Sequence, residues 1–190
     1  MKNYHFEYES PLGVLTIAID ESAINGLWFN GQKYFCQKHD LSKMEKLPSL
    51  VHHPLAHNDN KIPSSHHYEQ SEAIQKKIIK WLDLYFSGEQ PSFDIKTNPI
   101  VGTPYQQAIW KELELIPYGK TVSYLDIANA LKQKTEFKTT HPRAVGGAVG
   151  KNPISIIIPC HRVIGSSGKL TGFAGGLDTK EKLLKLEGIL

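Results

Sequence analysis

The chain has 190 residues and carries a net charge of +3, which is length enough to bury a core without covalent staples. Only Cys36 and Cys160 are present, which excludes a disulfide framework and implies a reducing, cytoplasmic setting. No apolar run is long enough to span a bilayer, and Met1–Glu7 offers no signal-peptide core, so no membrane is expected as a partner.

The charge is uneven. Residues 1–90 hold 9 Lys+Arg against 11 Asp+Glu, whereas residues 91–190 hold 13 against 8, including both arginines, Arg143 and Arg162. The second half is therefore the one suited to a polyanionic partner.

Tyr4–Tyr8 and Val14–Ile19 read as strands around a turn at Pro11-Leu12-Gly13, with a third strand around Gly26–Phe29. The stretch from Leu47 to His67 is interrupted by Pro48, Pro54 and Pro63 and shows no period, so an exposed loop is expected. Its five histidines (His52, His53, His57, His66 and His67), with Cys36 and His39 upstream, raise a zinc site. The proline-broken setting favours a solvated loop instead, and no metal is expected.

Apolar residues at Ile74, Ile78, Ile79, Leu82 and Tyr85 predict a helix from Glu72 to Phe86, stopped at Ser87-Gly88. An extended linker near 92–102 then divides the chain into domains 1–95 and 96–190. Thr103-Pro104 is an N-cap followed by proline at the first helical position, opening a helix from Tyr105 to Leu115. Ser123 caps a further helix from Tyr124 to Leu131. After a polar stretch, Lys132–Pro142, the small-residue run Arg143–Gly150 reads as another. Two short helices of this kind suit a helix-turn-helix with its second member in a DNA groove, although tight core packing would also select the small residues.

The run Ile156-Ile157-Ile158-Pro159-Cys160-His161-Arg162-Val163 predicts a buried strand that delivers a thiol and an imidazole to its end. A buried structural cysteine and an activated nucleophile both remain open from this run alone.

Several pieces occur together in order: Ile116-Pro117-Tyr118-Gly119, Val122-Ser123-Tyr124, Arg143-Ala144-Val145-Gly146, Asn152-Pro153, Pro159-Cys160-His161-Arg162-Val163, Gly172-Phe173-Ala174-Gly175-Gly176-Leu177 and Leu183–Gly188. With Ser10–Gly13 and Gly26–Phe29 matching more loosely, the chain resembles the methylated-DNA–protein-cysteine methyltransferases, which repair 6-O-alkylguanine. The resemblance implies an α/β (α+β) fold. A small sheet-plus-helix, RNase H-like domain would precede a mainly helical winged-helix or helix-turn-helix domain that binds DNA and carries the chemistry.

The resemblance also implies roles. Cys160 takes the alkyl group irreversibly, once per molecule. His161 is the base, acting through a water, and Glu187 orients its imidazole. Tyr124 serves the departing base, and Asn152 braces the turn before the cysteine. Arg143 fills the space of the extruded nucleotide, while Ala144, Gly146, Gly147 and Ala148 let the helix enter the minor groove, with Ser123 and Tyr124 alongside. The backbone of Cys160, Val163 and Ala174 reads the guanine, Phe173, Gly175 and Gly176 shape its pocket, and Lys180 supports that loop. The implied partner is double-stranded DNA containing alkylated guanine, met by a monomer without cofactor.

Two features depart from the family. Lys132–Pro142 is longer than usual between the two helices and adds Lys132, Lys134, Lys138 and His141. Phe173-Ala174 stands where some members have an aromatic residue followed by serine. A lesion-binding module without transfer, a cysteine hydrolase and a cofactor-dependent methyltransferase are the competing readings. The first would lack the nucleophile, the second needs an oxyanion hole, and the third needs a Gly-rich cofactor loop after a strand.

Overall fold

The computed structural model describes residues 2–37, 39–48, 66–133 and 136–190. His52, His53, His57 and Lys134, and the side chain of His66, lie outside the described residues. Strands β1 (Asn3–Ser10) and β2 (Gly13–Asp20) form an antiparallel hairpin, and β3 (Ile24–Phe29) adds to β2. A two-residue strand, β4 (Glu45–Lys46), pairs parallel with β1 to complete the order β3-β2-β1-β4. Two charged residues show no alternation, so this edge strand had no signature in the sequence.

Helix α1 (His66–Phe86) packs on the sheet and begins six residues before the expected Glu72. Its buried stripe continues upward through Tyr68, Ser71 and Gln75. Two of these are polar, which hid the periodicity. Ser71 Oγ donates to the His67 carbonyl at 2.9 Å and Gln75 Nε2 to the Pro48 carbonyl at 2.8 Å, while Gln75 Oε1 has no partner among the described residues.

The second half packs α2 (Pro104–Glu114), α3 (Tyr124–Lys132) and α4 (Pro142–Val149) around Ile109, Leu113, Ile127, Leu131 and Val145, all buried. Thr103 and Ser123 each close a capping box, with Gln106 and Asp126 reaching back to the cap N–H. Val122–Ser123 (β5) pairs parallel with Val163–Ile164 (β6), and α5 (Leu177–Leu186) follows.

The two halves meet along β3. Leu27 N–H donates to the Pro153 carbonyl and Ser155 N–H to the Leu27 carbonyl, each at 2.8 Å. Farther along, Ile24 exchanges hydrogen bonds with Lys96 and Asn98 in the connecting segment. The free edge of β3 is thereby covered. Trp28 lies so close over Gly26 that a Cβ there would fall 1.8 Å from its ring, which restricts that position to glycine.

The expected strand over Ile156–Val163 is not formed. Only Ile154 bridges to Leu27; Ile156 is left-handed at φ 69°. Ile157 N–H donates to Ser155 O, Ile158 N–H to Ile154 O and Cys160 N–H to Ile158 O, so the chain coils. Cys160–Arg162 is then one 3-10 turn. The β-branched composition reflects burial rather than pleating, and a β-branched residue at positive φ is costly enough to need strong support from its surroundings.

Candidate active site

The coil is held by Asn152, whose side chain sits inside it. Its Oδ1 accepts from Ile154 N–H at 3.0 Å, and its Nδ2 donates to the Ile158 carbonyl at 2.8 Å, the Ile154 carbonyl at 3.2 Å and Cys160 Sγ at 3.1 Å. The thiol thus points at an amide donor. Burial pushes the Cys160 pKa up, and the Asn152 amide and the Lys180 charge pull it back. Cys160 and His161 are neighbours on one 3-10 turn.

His161 is buried, and its Nε2 lies 2.7 Å from Glu187 Oε1. A carboxylate only accepts, so Nε2 carries the proton and the neutral ring has its lone pair on Nδ1. That Nδ1 makes no hydrogen bond to any described residue. Burial lowers the His161 pKa against the raising effect of Glu187, which keeps the ring neutral and basic at Nδ1.

Glu187 follows the last turn of α5 and is buried, where an exposed helix-end charge would be the ordinary expectation. Arg162 grips it in bidentate fashion, Nε to Oε2 at 2.8 Å and Nη2 to Oε1 at 3.0 Å, and Gly119 N–H reaches Oε2 at 3.2 Å. Burial would raise its pKa, yet the hydrogen bonds from His161 and Arg162, and their charges, bring it down to about 2. Arg162 is fixed in turn by the Ile116 carbonyl at 2.7 Å.

Lys180 on α5 is fully buried. It donates to the carbonyls of Val163 (2.5 Å) and Thr171 (2.8 Å), and burial lowers its pKa to about 8. The Val163 carbonyl is thus already engaged, and its N–H closes the 3-10 turn on Cys160 O. Ala174 O accepts from Lys33 N–H at 3.0 Å.

An open pocket of about 530 Å³ lies between α4 and the 171–174 loop, a size suited to a base or similar ligand. Tyr124, Arg143, Gly146, Gly147, Phe173 and Ala174 line it, together with Lys33 and Tyr34 from the sheet domain. Tyr124 OH accepts from Thr171 Oγ1 at 3.2 Å, and burial raises its pKa. Cys160 is 4% exposed and does not belong to this lining. Gly175 packs against the Phe173 and Phe29 rings, and Gly176 takes φ 89° at the start of α5.

On α4, Arg143, Ala144 and Gly147 are exposed, and Gly146 is half-buried. Ala148 is turned inward: it is buried, and its carbonyl accepts from Trp110 Nε1 at 3.0 Å, so it does not share the exposed face. Ser123 spends its hydroxyl on Asp126, as the cap of α3.

Sequence reasoning missed four contributors. Tyr85 reads as one more apolar position of the α1 stripe, and nothing in that pattern reveals a buried hydroxyl at the His161–Glu187 pair. Lys33 and Tyr34 sit in a turn with no motif. Arg162 was noted without a role. Cys36 is half-buried with its thiol pushed up to about 11 by burial, and no described His, Cys, Asp and Glu side chains group so as to hold a metal.

Residues 104–189 match the 6-O-methylguanine DNA methyltransferase, DNA binding domain, and residues 3–99 match its ribonuclease-like domain. A methylated-DNA–protein-cysteine methyltransferase of Methanosarcina acetivorans is 40% identical over 97% of this chain and 98% of its own. The Haemophilus influenzae protein of the same name is 36% identical over 98% and 87%. Among solved structures, Mycobacterium tuberculosis OGT in complex with DNA superposes with a TM-score of 0.70 at 36% identity, covering 97% of this chain and 92% of that one.

Proposed function

The chain belongs to the 6-O-methylguanine DNA methyltransferase family, the methylated-DNA–protein-cysteine methyltransferases, and from that premise we propose that Cys160 is the alkyl acceptor. The protein is a DNA-repair transferase that binds DNA and moves an alkyl group onto itself. The observation that supports Cys160 is its setting. An amide donor lies 3.1 Å from Sγ, and the adjacent residue is a neutral histidine whose far nitrogen is held by Glu187. Cys36 is half-buried, and its thiol is raised by burial alone.

The chemistry follows from these groups. His161 Nδ1, through a bridging water, takes the Cys160 proton, and the imidazolium is stabilised by Glu187. The thiolate displaces the guanine oxygen from the alkyl carbon: an S–C bond forms as the C–O bond breaks. The departing guanine anion takes a proton, with the Tyr124 hydroxyl as donor. A thioether has no route back to the thiol, so each molecule acts once.

The substrate is duplex DNA with 6-O-alkylguanine, entered from the minor groove by α4 of a single, cytoplasmic protein molecule. Arg143 occupies the gap left by the extruded base, which enters the pocket against Tyr124 and Phe173. The chemistry and the groove belong to a domain spanning 96–190, and the sheet domain spans 1–95.

Incubation with a duplex carrying one 6-O-methylguanine tests this reading. One methyl per protein molecule is expected, located by mass spectrometry on the Cys160 peptide, with none transferred by Cys160→Ala and normal transfer by Cys36→Ala. Repeated turnover, or activity in Cys160→Ala, would remove the mechanism.

A further inference from the structure

Tyr85 stands on α1, in the sheet domain, yet its hydroxyl reaches the centre of the other domain. It donates to Glu187 Oε1 at 2.8 Å and lies 3.3 Å from His161 Nε2, and the whole side chain is buried. Its ring is fixed by Trp81, stacked at 5.4 Å between centroids, and by Phe86 and Tyr118 edge-on at 5.4 and 6.2 Å. A tyrosine serving only as core filler would have no need to place its hydroxyl on a carboxylate oxygen that already receives two other donors.

Two donors on one oxygen compete. Glu187 Oε1 takes the Nε2–H of His161 and the Tyr85 O–H, with Arg162 Nη2 as a third. Each added donor weakens what the carboxylate offers to the others. We propose that Tyr85 is a positioning residue for alkyl transfer: the sheet domain, through its hydroxyl, sets the orientation and basicity of His161 by sharing Glu187 Oε1. The proposal rests on the assignment of His161 as the base.

Other charged and titratable groups act on the same ring. Arg162 lies on the same turn, Lys180 approaches from α5, and Cys160 is adjacent. Tyr118 faces Tyr85 from the loop after α2. None of these changes when the Tyr85 oxygen alone is removed, so Tyr85→Phe isolates the shared hydrogen bond while leaving the ring packing in place.

Freed of that competitor, Glu187 holds the Nε2–H more strongly and favours the imidazolium. Two measurements on the full chain read this. NMR titration of the His161 imidazole should move up in Tyr85→Phe by about half to one pH unit, the size of one ordinary hydrogen bond's net contribution. The acid limb of the single-turnover methyl-transfer rate should move up by the same amount. A rate lowered equally at every pH, with the His161 titration unmoved, would make Tyr85 a packing residue and overturn the proposal. A His161 titration that shifts in Tyr85→Phe, beside a wild-type protein that transfers no methyl, would sustain the Tyr85 coupling and overturn the alkyl-transfer reading instead.

Discussion

Arg143 is exposed at the first turn of α4 and makes no hydrogen bond or ion pair with any described residue. A side chain so placed contributes little to folding, and truncating it should change stability by under about 0.5 kcal/mol. Its contribution, on the proposed reading, lies in holding open the duplex from which the base has left. Arg143→Ala should therefore slow transfer from a 6-O-methylguanine duplex by roughly 100-fold or more, about 3 kcal/mol, while transfer from the free 6-O-methylguanine base changes little. Parallel single-turnover assays on the two substrates check this, and equal losses would remove the extrusion role. The contrast with Glu187 is instructive. Both are charged residues in helical sequence, but only one is buried, and the sequence offers no local sign of which. Cys160, His161 and Glu187 became legible only through the family's ordered motifs. Tyr85 stayed hidden because a phenol in an apolar stripe looks like core.

At the scale of elements, α4 carries a feature its own packing does not require. Gly147 is exposed, a Cβ added there would meet nothing within 4 Å, and its backbone is ordinary helix. Glycine inside a helix costs about 0.5–1 kcal/mol relative to alanine, and on the proposed reading the close approach of DNA accounts for it. Gly147→Ala should raise the thermal melting temperature and at the same time weaken binding to a lesion duplex by about 10-fold or more, about 1.4 kcal/mol. Melting curves and fluorescence anisotropy would report the two changes. Undiminished DNA affinity would end the close-contact reading of this face. Helices α2 and α3 were readable because capping chemistry at Thr103 and Ser123 is local. The coil at Ile156–Cys160 was not, because it is imposed by the Asn152 side chain and by pairing with Leu27, both set by tertiary placement. The start of α1 was missed for a similar reason, since buried Ser71 interrupts the apolar stripe and is satisfied by the His67 carbonyl, outside any sequence pattern.

Across the whole molecule, Glu187 ties the two halves together, receiving Tyr85 from α1 and Arg162 and Gly119 from the second half. Its pKa falls from 4.5 in an unfolded chain to about 2 in the fold, so the unfolded chain binds its proton first as pH drops. The associated stability is complete above the unfolded value and is lost as pH falls from 4.5 towards about 2. Its size at neutral pH is on the order of 3 kcal/mol. His161 works in the same direction: its lowered pKa means the unfolded chain also gains that proton first, beginning below 6.5. Acid should therefore unfold both halves in one step, since the carboxylate being neutralised receives hydrogen bonds from both. Trp28 in the sheet and Trp110 in α2 are both buried, so near-ultraviolet circular dichroism follows each half during acidification. Glu187→Gln should lose about 3–5 kcal/mol at neutral pH, because buried Arg162 is left without its counter-charge. It should also lose the part of the acid dependence that falls between pH 4.5 and about 2, keeping the part that His161 supplies below 6.5. A glutamine variant that keeps the wild-type acid transition would show that other carboxylates govern it, and that the two domains are joined chiefly through the edge of β3.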